Sequence, residues 1–505
     1  MIKHKHSLIV AGALLISSTI FLSTQSTSAA SDPEIKADNY EMNINLDTKK
    51  NLLNEEVTIK VTNNSKSSTN EILVRNIAAG VLKYDREHIK HINRSISTKI
   101  LKISSNGKTL DYYFGNDESD IFITFPEELK PGESKTVTLT LKTDIPKRKD
   151  RFGYQVVNSG KVYNLSFCFP YLSDYRNDKW IYHPYNDEGE SRNSAVSNYH
   201  VNFQAPKSYK VAITGNSTTT NGKTIVDANN VRDFAIVASN EFKVGHTYTN
   251  GVKINNYFLP GKDSSKYNKL VKQTAIDSLN LFSKKLGKYP YTELNITEYP
   301  FEEDTGGMEY PGLIMIAGNS FMSKKKASAL DYSELLEDVS HEVAHQWFYS
   351  SVGTDEYTEP WLDEGMSEFL EEYVFDLHKT KAKLTVLNIL HAKYYPVSKL
   401  KQNFYTLINK QIRNKHKSII NYPLNQMPKG EDESSVAYQK AKLFYAELMV
   451  AMGEKKFFKA LRDYYQTYYL KQTNGKEFLD IIKKYDDSPK VRSIINKSID
   501  QKYLN

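Results

Sequence analysis

Cysteine is almost absent from this chain of 505 residues, which contains Cys168 alone. A single thiol cannot form an intramolecular disulfide, so stability has to come from buried apolar cores. Between two phenylalanines, this thiol is expected to be a buried apolar side chain rather than a nucleophile. Charge of one sign is also scarce, because 67 basic residues face 60 acidic ones and leave a formal charge of +7. That excess is too small to indicate nucleic-acid binding, and no recognition module for DNA or RNA is visible.

Long apolar runs are lacking after the first 30 residues, so no later segment is predicted to span a bilayer. The first 30 residues look like a secretory signal, with Lys3 and Lys5 at a basic start, an apolar stretch over 7–22, and small residues at Ser28-Ala29-Ala30. The alternative is a retained membrane anchor, for which the apolar stretch is short. We therefore expect a secreted, extracellular protein, with cell-surface association left open.

Internal repeats and low-complexity linkers are also lacking, so the period of the apolar residues has to indicate the domains. Tyr40, Met42, Ile44 and Leu46 alternate with polar residues, which is typical of antiparallel sheets with one buried face. Asn-Gly pairs favour tight hairpin turns. Three such pairs separate strand-like runs, at positions 106–107, 221–222 and 250–251. These patterns predict an all-β amino-terminal domain.

The apolar period changes after about residue 260. Apolar residues from Leu270 to Phe282 follow helical spacing, short strands are expected at 294–299 and 313–316, and the chain looks mostly helical from Asp331 onward. The sequence is therefore divided, with a boundary near residue 250, into a signal over 1–30, a β-rich domain over 31–250 and a mainly helical domain over 251–505.

The sequence His341-Glu342-Val343-Ala344-His345 is an H-E-x-x-H motif. Asp331 can cap the predicted helix, with Glu334 as the second half of a capping box. Histidines four residues apart lie on one helical face, where both rings can reach one zinc ion. Glu342 can reach the open side of such a metal, where water binds. The alternative is chance, since the motif alone occurs in a few per cent of chains of this composition.

A third ligand candidate follows at a suitable distance. Glu364 lies 19 positions after His345, near a predicted helix start that contains Pro360. This gap is long enough for the chain to turn and bring Glu364 opposite the histidines. Two histidines and one glutamate leave the fourth zinc position open, as in catalytic sites. Glu371, seven residues on, could accept a ring hydrogen of a ligand histidine, or it could be an ordinary solvated carboxylate.

Upstream, the segment Gly306–Gly312 reads GGMEYPG. Gly306 and Gly307 would let the backbone approach a ligand closely. The run at 313–316 could be an edge strand that offers backbone hydrogen bonds to a peptide. A carboxylate at Glu309 could pair with a free amino group. The alternative is an ordinary turn with an exposed glutamate.

Together the GGMEYPG loop, the HEVAH motif and the following WLDEG segment, in this order and spacing, resemble the gluzincin zinc aminopeptidases of the alanyl-aminopeptidase and leukotriene-A4-hydrolase family. The resemblance covers most of the chain after the signal. It implies an antiparallel β-domain followed by a thermolysin-like, mainly helical zinc metallopeptidase domain, with the family's further helical domain short or absent. It also implies a reaction, which is removal of amino-terminal residues from peptides with one Zn²⁺ per chain.

The same resemblance implies a role for each matching residue. Zinc would be held by His341, His345 and Glu364. Glu342 would act as general base and then as general acid. The substrate would be bound by the loop residues Gly306, Gly307, Met308 and Glu309, with Glu309 on the free amine. The segment Ser434–Lys440 resembles the one that supplies an oxyanion-stabilising tyrosine, so Tyr438 is the candidate for that role.

Two departures leave strict amino-terminal specificity open. Tyr310 replaces the asparagine usual after the loop glutamate, and no Gln or Glu of the β-domain can be aligned as a second amine contact in Phe167–Trp180. The rival functions are a zinc endopeptidase, a hydrolase of a non-peptide substrate and a non-catalytic binding protein. Peptides are the expected partners, and the oligomeric state is not readable.

A basic cluster lies in the second domain. Its members are Lys410, Arg413, Lys415 and Lys417. Weak contact with an anionic cell-wall polymer or a membrane surface is one interpretation of this cluster, and a solvated helix face is the other.

Overall fold

The structure, a computed structural model, describes residues 33–504 apart from 90–94, 187–193, 303–304, 323–325, 390, 392–396 and 414–417. The signal segment predicted over 1–30, together with Lys415 and Lys417, lies outside the described residues. The first part of the chain is built almost entirely of strands. In chain order its elements are β1 (Ile35–Asp47), β2 (Leu52–Asn63), β3 (Thr69–Arg75), α1 (Ile77–His88), β4 (Thr98–Ser105), β5 (Lys108–Thr109), β6 (Asp111–Phe114), β7 (Asp120–Leu129), β8 (Ser134–Asp144), β9 (Phe152–Val157), β10 (Gly160–Leu165), β11 (Tyr171–Leu172), β12 (Asp174–Arg176), β13 (Lys179–Ile181), β14 (Ser197–Gln204), β15 (Lys210–Ile213), β16 (Asn216–Thr220), β17 (Lys223–Val231) and β18 (Ile236–Ser239).

These strands form one large sheet, in the order β16-β17-β14-β1-β2-β8-β4-β5 with β12 and β13 beside β1, and two four-stranded sheets. The predicted alternation along β1 is confirmed, since Tyr40, Met42, Ile44 and Leu46 are buried and the residues between them are exposed. The purely antiparallel prediction is wrong at one pair, because β1 and β14 run parallel. A long stretch of chain, rather than a hairpin, connects these two strands, and such a connection permits parallel pairing.

All three Asn-Gly turns are confirmed. Asn106 and Gly107 have φ of 48° and 77°, and the pairs at 221–222 and 250–251 have φ between 48° and 83°. Each pair connects neighbouring antiparallel strands. Positive φ at both central positions produces the turn whose twist matches that of the flanking strands.

The second part of the chain begins with a sheet and continues mainly as helices. Its elements are β19 (Lys243–Thr249), β20 (Val252–Phe258), α2 (Ser264–Lys285), β21 (Glu293–Tyr299), β22 (Gly307–Met308), β23 (Leu313–Ala317), α3 (Asn319–Met322), α4 (Ala329–Ala344), β24 (Val352–Gly353), α5 (Glu364–Leu377), α6 (Lys381–Ile389), α7 (Val397–Ile412), α8 (Ala441–Met452), α9 (Glu454–Thr467), β25 (Lys471–Gln472), α10 (Gly475–Tyr485) and α11 (Pro489–Ser498), with short 3₁₀ turns at Pro360–Leu362, Leu424–Gln426 and Gln501–Tyr503 and a wide π-helical segment at Ser434–Lys440.

The five-stranded sheet of this domain has the order β19-β20-β21-β23-β22. The strand predicted over 313–316 is present as β23, but it is not the edge of the sheet. After β22 the chain turns back on itself, so that Gly307 and Met308 pair with Ile316 and Met315 and form the edge instead. The glycine-rich segment itself is therefore the edge of the sheet.

The fold is a β-rich amino-terminal domain followed by a helical carboxy-terminal domain. One apolar core fills the β-rich part, and a second core packs around α2, α4, α5 and α8. Both Trp347 and Trp361 are fully buried in the second core. Among the described helices, none has the length and apolar character needed to cross a membrane.

Candidate metal centre and active site

Helix α4 carries the H-E-x-x-H motif, and its start differs from the prediction. Ser328 is the N-cap and accepts a hydrogen bond from the amide of Asp331 at 3.2 Å, while the Asp331 carboxylate accepts one from the Ser328 amide. Asp331 is thus the third helical residue of a capping box, not the cap, and Glu334 is not its partner. The serine hydroxyl reaches the third amide from outside the helix, which sets the start three residues earlier.

The three predicted metal ligands come together at the end of α4. The Nε2 atoms of His341 and His345 are 2.9 Å apart, and Oε2 of Glu364 lies 3.2 Å from the first and 3.4 Å from the second. Ligand atoms at 2.0–2.1 Å from a tetrahedral zinc ion are separated by about 3.3–3.4 Å. The triangle therefore has the size of three corners of a zinc tetrahedron.

Glu364 is the first residue of α5, and Asp363 separates it from the turn at Pro360–Leu362. The next residue, Gly365, lets α5 approach the π-helical segment closely. A Cβ atom at Gly365 would lie 2.3 Å from Cβ of Ala441 and 2.8 Å from the carbonyl oxygen of Ala437. Because no side chain intervenes, Glu364 and the segment that contains Tyr438 can share one site.

The Nδ1 atoms of both histidines face carboxylates. Nδ1 of His341 lies 3.5 Å from Oε2 of Glu371, as the sequence had suggested, and Nδ1 of His345 lies 2.5 Å from Oδ1 of Asp363. In the neutral form of each ring, a hydrogen on Nδ1 would bond to this carboxylate and leave the lone pair on Nε2. Two lone pairs and a carboxylate oxygen that converge on one point fit a cation. Asp363 was not singled out from the sequence, and its only signal was its position directly before Glu364.

The charges around this point also favour a cation. Burial lowers the pKa of His341, but hydrogen bonds to Glu364 and Glu371 outweigh burial and hold this pKa well above its usual value. The pKa of His345 is raised in the same way by Asp363 and Glu364. Burial alone would raise the pKa of Glu364, yet the two histidines keep it well below its usual range. The donor set of two imidazoles and one carboxylate suits zinc.

Glu342 is buried beside the three donors without belonging to them. Burial raises the pKa of Glu342 to about 7, against the opposing influence of His341 and His345. Its Oε2 atom accepts no hydrogen bond from the described residues. A Cβ atom at Gly307 would lie 2.5 Å from Oε1 of Glu342, so the glycine allows the edge strand to lie directly against this carboxyl group.

Tyr438 lines the same cleft from the π-helical segment Ser434–Lys440, a wide helical turn that is common at functional sites. Its ring lies parallel to that of His341, with centroids 6.1 Å apart. Burial, and after it the negative charges of Glu364 and Glu433, raise the pKa of Tyr438 well above its usual value. The phenol therefore stays protonated and can donate a hydrogen bond.

The GGMEYPG loop is held against α4 by Gln346, the residue directly after the motif. Its Nε2 donates to the carbonyl oxygens of Glu309 and Tyr310 at 3.1 and 3.2 Å, and its Oε1 accepts from the amide of Gly312 at 2.8 Å. Carboxylate oxygens of Glu309 and Glu342 lie within 4.8 Å of a ring nitrogen of His345. Three hydrogen bonds of Gln346 therefore connect the loop to the end of the metal helix. Sequence reasoning missed Gln346, although it adjoins the motif.

A cleft of about 1180 Å³ lies between the two domains, and the three metal donors, Glu342, Glu309 and Tyr438 line it. The β-rich domain contributes Gln155 from β9 and the segment Lys147–Arg151, which precedes β9. No residue between Phe167 and Trp180, where a second amine contact was sought, lines the cleft. Gln155 was missed because nothing in the alternation of a short strand distinguishes a cleft-facing amide from any other polar residue.

Comparison with known proteins agrees with this arrangement. The model of the peptidase family M1 domain matches residues 272–499. Endoplasmic reticulum aminopeptidase 2 of Homo sapiens is 29% identical over 184 residues, which are 36% of this chain and 18% of that protein. The alanine/arginine aminopeptidase of Saccharomyces cerevisiae is 24% identical over 282 residues, which are 54% of this chain and 30% of that protein. The matches thus span about a fifth to a third of these curated relatives.

Solved structures resemble the whole fold. The M1 zinc metallopeptidase of Deinococcus radiodurans matches with a TM-score of 0.60 at 14% identity, over 94% of this chain and 95% of that chain. The aminopeptidase A of Legionella pneumophila, solved with aspartic acid, matches with a TM-score of 0.63 at 15% identity, over 93% of this chain and 50% of that chain. This protein contains a peptidase family M1 domain and is homologous to the aminopeptidases of that family.

Proposed function

We propose that the protein is a zinc-dependent aminopeptidase that removes single residues from the free amino end of peptides. The observation that supports it is the convergence of His341, His345 and Glu364, with separations of 2.9–3.4 Å between their donor atoms, in a cleft that also contains Glu342 and Glu309. Zinc held by the three donors would supply Lewis-acid chemistry, polarising the scissile carbonyl and acidifying water.

Glu342 is proposed as the general base and then the general acid. A carboxyl group with a pKa near 7 can take a proton from water and return it to the leaving amine at neutral pH. Its position beside Gly307 places it next to the edge strand along which a peptide would lie. The unpartnered Oε2 atom leaves room for this exchange.

Tyr438 is proposed as the donor to the oxyanion that forms during the reaction, since its raised pKa keeps the hydroxyl protonated. Glu309 would pair with the substrate's free amine, together with Gln155 from the opposite wall. Tyr310, the departure from the family pattern, has a buried ring that packs edge-to-face on Phe167, with centroids 6.3 Å apart. Its side chain therefore lies in the core and leaves the amine contact of Glu309 intact.

The test is hydrolysis of a panel of aminoacyl fluorogenic substrates, each with a free and an acetylated amino group. Cleavage of the free substrates only, lost with a chelator and restored by zinc, is the expected result. Glu309→Gln should reduce cleavage of the free substrates, because the variant keeps the shape and removes the charge. Equal cleavage of acetylated substrates would contradict the proposal and favour an endopeptidase. No cleavage by zinc-loaded protein would favour a binding role.

Two further proposals accompany this one. The arrangement of α4 and α5 around the donors supports a thermolysin-like catalytic domain.

Export is proposed from Lys3, Lys5 and the apolar stretch at 7–22. Recovery of protein from culture medium with a new amino terminus near Ala30 would support export, and a product retained in membranes with residues 1–30 attached would contradict it.

A further inference from the structure

The wall of the cleft that faces the metal centre carries a basic loop from the β-rich domain. Lys147, Arg148, Lys149 and Arg151, between β8 and β9, all line the cleft. The loop is fixed in place, because the hydroxyl of Tyr299 donates to the carbonyl oxygen of Arg148 at 3.0 Å. This tether connects the loop to β21 of the catalytic domain, so the position of the loop relative to the donors is determined by the fold.

The four basic residues of the loop differ in whether a carboxylate is paired with them. Arg148 forms ion pairs with Asp85 and with Asp150, the latter at 2.9 Å, and Arg151 lies 3.6 Å from Asp150. By contrast, the ion pairs of this loop between described residues involve its arginines and not Lys147 or Lys149, although both lysines line the cleft. The arginines therefore stabilise the loop, whereas the two lysines leave positive charge available to an anion in the cleft.

The groups along the cleft have a defined order. Counting back along the chain from Glu309, the candidate amine contact, Gly307 lies against Glu342. At Gly306, the residue before it, a Cβ atom would lie 2.5 Å from Oδ1 of Asp338. Further back, the amide of Glu302 donates to the carbonyl oxygen of Lys149 at 3.2 Å. A peptide with its amine at Glu309 and its backbone on this edge would thus extend from the metal centre toward the lysines.

The length of a bound peptide decides whether its carboxyl end can reach Lys147 and Lys149. Glu309 lies seven residues after Glu302, and such a segment spans at most about 25 Å when extended. A substrate running along the same edge needs no more than about seven residues to cover that span.

From this order and charge we infer that Lys147 and Lys149 bind a carboxylate on the departing side of the substrate, so that the enzyme prefers short peptides with a free carboxyl end. The inference rests on the proposed aminopeptidase function and adds a substrate class to it. The chemistry is the pairing of an ammonium group with a carboxylate. An acidic side chain placed several residues after the cut would satisfy the same lysines, and the experiment separates these two sources.

The experiment compares alanine-based peptides of three to ten residues as free acids and as carboxy-terminal amides, with kcat and KM for alanine release measured on zinc-loaded protein. The acid should exceed the amide in kcat/KM by about fivefold, mainly through KM, at one or more lengths up to about seven residues. The ratio should fall toward one for longer peptides and at high ionic strength.

The matched variants are Lys147→Gln/Lys149→Gln and Lys142→Gln, the latter an exposed lysine of β8 outside the cleft lining. The double variant should lower the acid-to-amide ratio to about one, and Lys142→Gln should leave that ratio unchanged. A pair of amide peptides, one with Glu and one with Gln just before the amidated end, tests the second source, which is an acidic side chain. Recovery of the preference assigns the lysines to carboxylates in general, and its absence assigns them to the terminal carboxylate.

Two results would overturn the inference in distinguishable ways. A ratio near one in the wild type, or a ratio unaffected by the double variant, with both peptides still cleaved, rejects the lysine site while the aminopeptidase function stands. Absence of alanine release from every peptide rejects the proposed function and the lysine site together.

Discussion

Both domains bury carboxyl groups, and Glu55 in the first and Glu364 in the second show opposite balances of charge. Glu55 in β2 is buried with one hydrogen bond, from the Thr143 hydroxyl at 2.9 Å, and burial raises the pKa of Glu55 to about 8. Glu364 in the catalytic domain is buried beside two histidines, which hold its pKa well below the usual range. A buried carboxyl group keeps its charge where a cation or several hydrogen-bond donors are near, and Glu55 has one donor and no cation among its partners. The difference identifies the catalytic cleft as the place built for a positive ion.

The largest expected effect comes from Glu342, the carboxyl group proposed as the general base. Glu342→Gln keeps the shape of the side chain and removes its ability to exchange a proton, so kcat should fall by about 10²–10⁴-fold. Zinc content, measured by atomic emission on dialysed protein, should stay at one ion per chain. A variant that lost zinc as well would show that Glu342 belongs to the donor set rather than beside it.

Glu334→Gln is the matched control for this variant. Glu334 lies on the same helix, but its side chain is exposed and does not line the cleft. Its kcat should equal that of the wild type, because the control changes the charge of α4 without changing the groups near the donors.

Tyr438→Phe should have the next largest effect. The variant removes a buried, protonated hydroxyl while the ring beside His341 remains, so kcat should fall by about 10²–10³-fold with little change in KM. Steady-state kinetics on a free aminoacyl substrate measure both constants. Tyr248→Phe, on an exposed ring of β19, is the control. A rise in KM with unchanged kcat would assign Tyr438 to substrate binding instead.

A third variant tests the partner of His345. Asp363→Asn keeps a hydrogen-bond acceptor near Nδ1 of His345 and removes the charge, which should weaken zinc affinity by about 10–100-fold. Competition with a chromogenic chelator measures the affinity. Asp227→Asn is the matched control, since Asp227 lies 2.7 Å from His200 in an exposed pair outside the cleft. Equal zinc affinity in both variants would mean that the buried carboxylate does not support the ligand.

The site was predictable where its spacing follows local rules. Two histidines four apart on a helix, and a glutamate at a fixed distance after them, depend on helical period and chain length, and the structure brings all three together. Groups that depend on packing between distant segments were not predictable. Gln155 reaches the cleft only because the sheet that contains β9 faces the catalytic domain, and the edge position of Gly307 and Met308 depends on a reversal of the chain after them.

Competition between two nearby capping residues explains the misplaced start of α4. The long connection between β1 and β14 explains the missed parallel pair. Ser328 and Asp331 are both good capping residues, and sequence alone does not say which is outside the helix. The parallel pairing of β1 with β14 depends on where a long connection returns the chain. Alternation of side chains is the same in both strand directions, so the pattern predicted the buried face but not the direction.

The smallest expected effect is on the pH dependence of stability, at Glu55 in the β-rich domain. Its measurement would sharpen the contrast between Glu55 and the cleft. Because burial raises the pKa of Glu55 from an ordinary value of 4.5 to about 8, folding favours the protonated form. Its contribution to stability is therefore complete below about pH 4.5 and is lost as pH rises toward 8, by at most about 1.4 kcal/mol per pH unit. Glu55→Gln removes this titration, so its free energy of unfolding should depend less steeply on pH between 5 and 8 than that of the wild type. Urea unfolding at several pH values, with zinc held constant, measures both slopes. Equal slopes would mean that Glu55 ionises without cost, and the contrast between the two domains would then lie in the arrangement of the histidines rather than in burial.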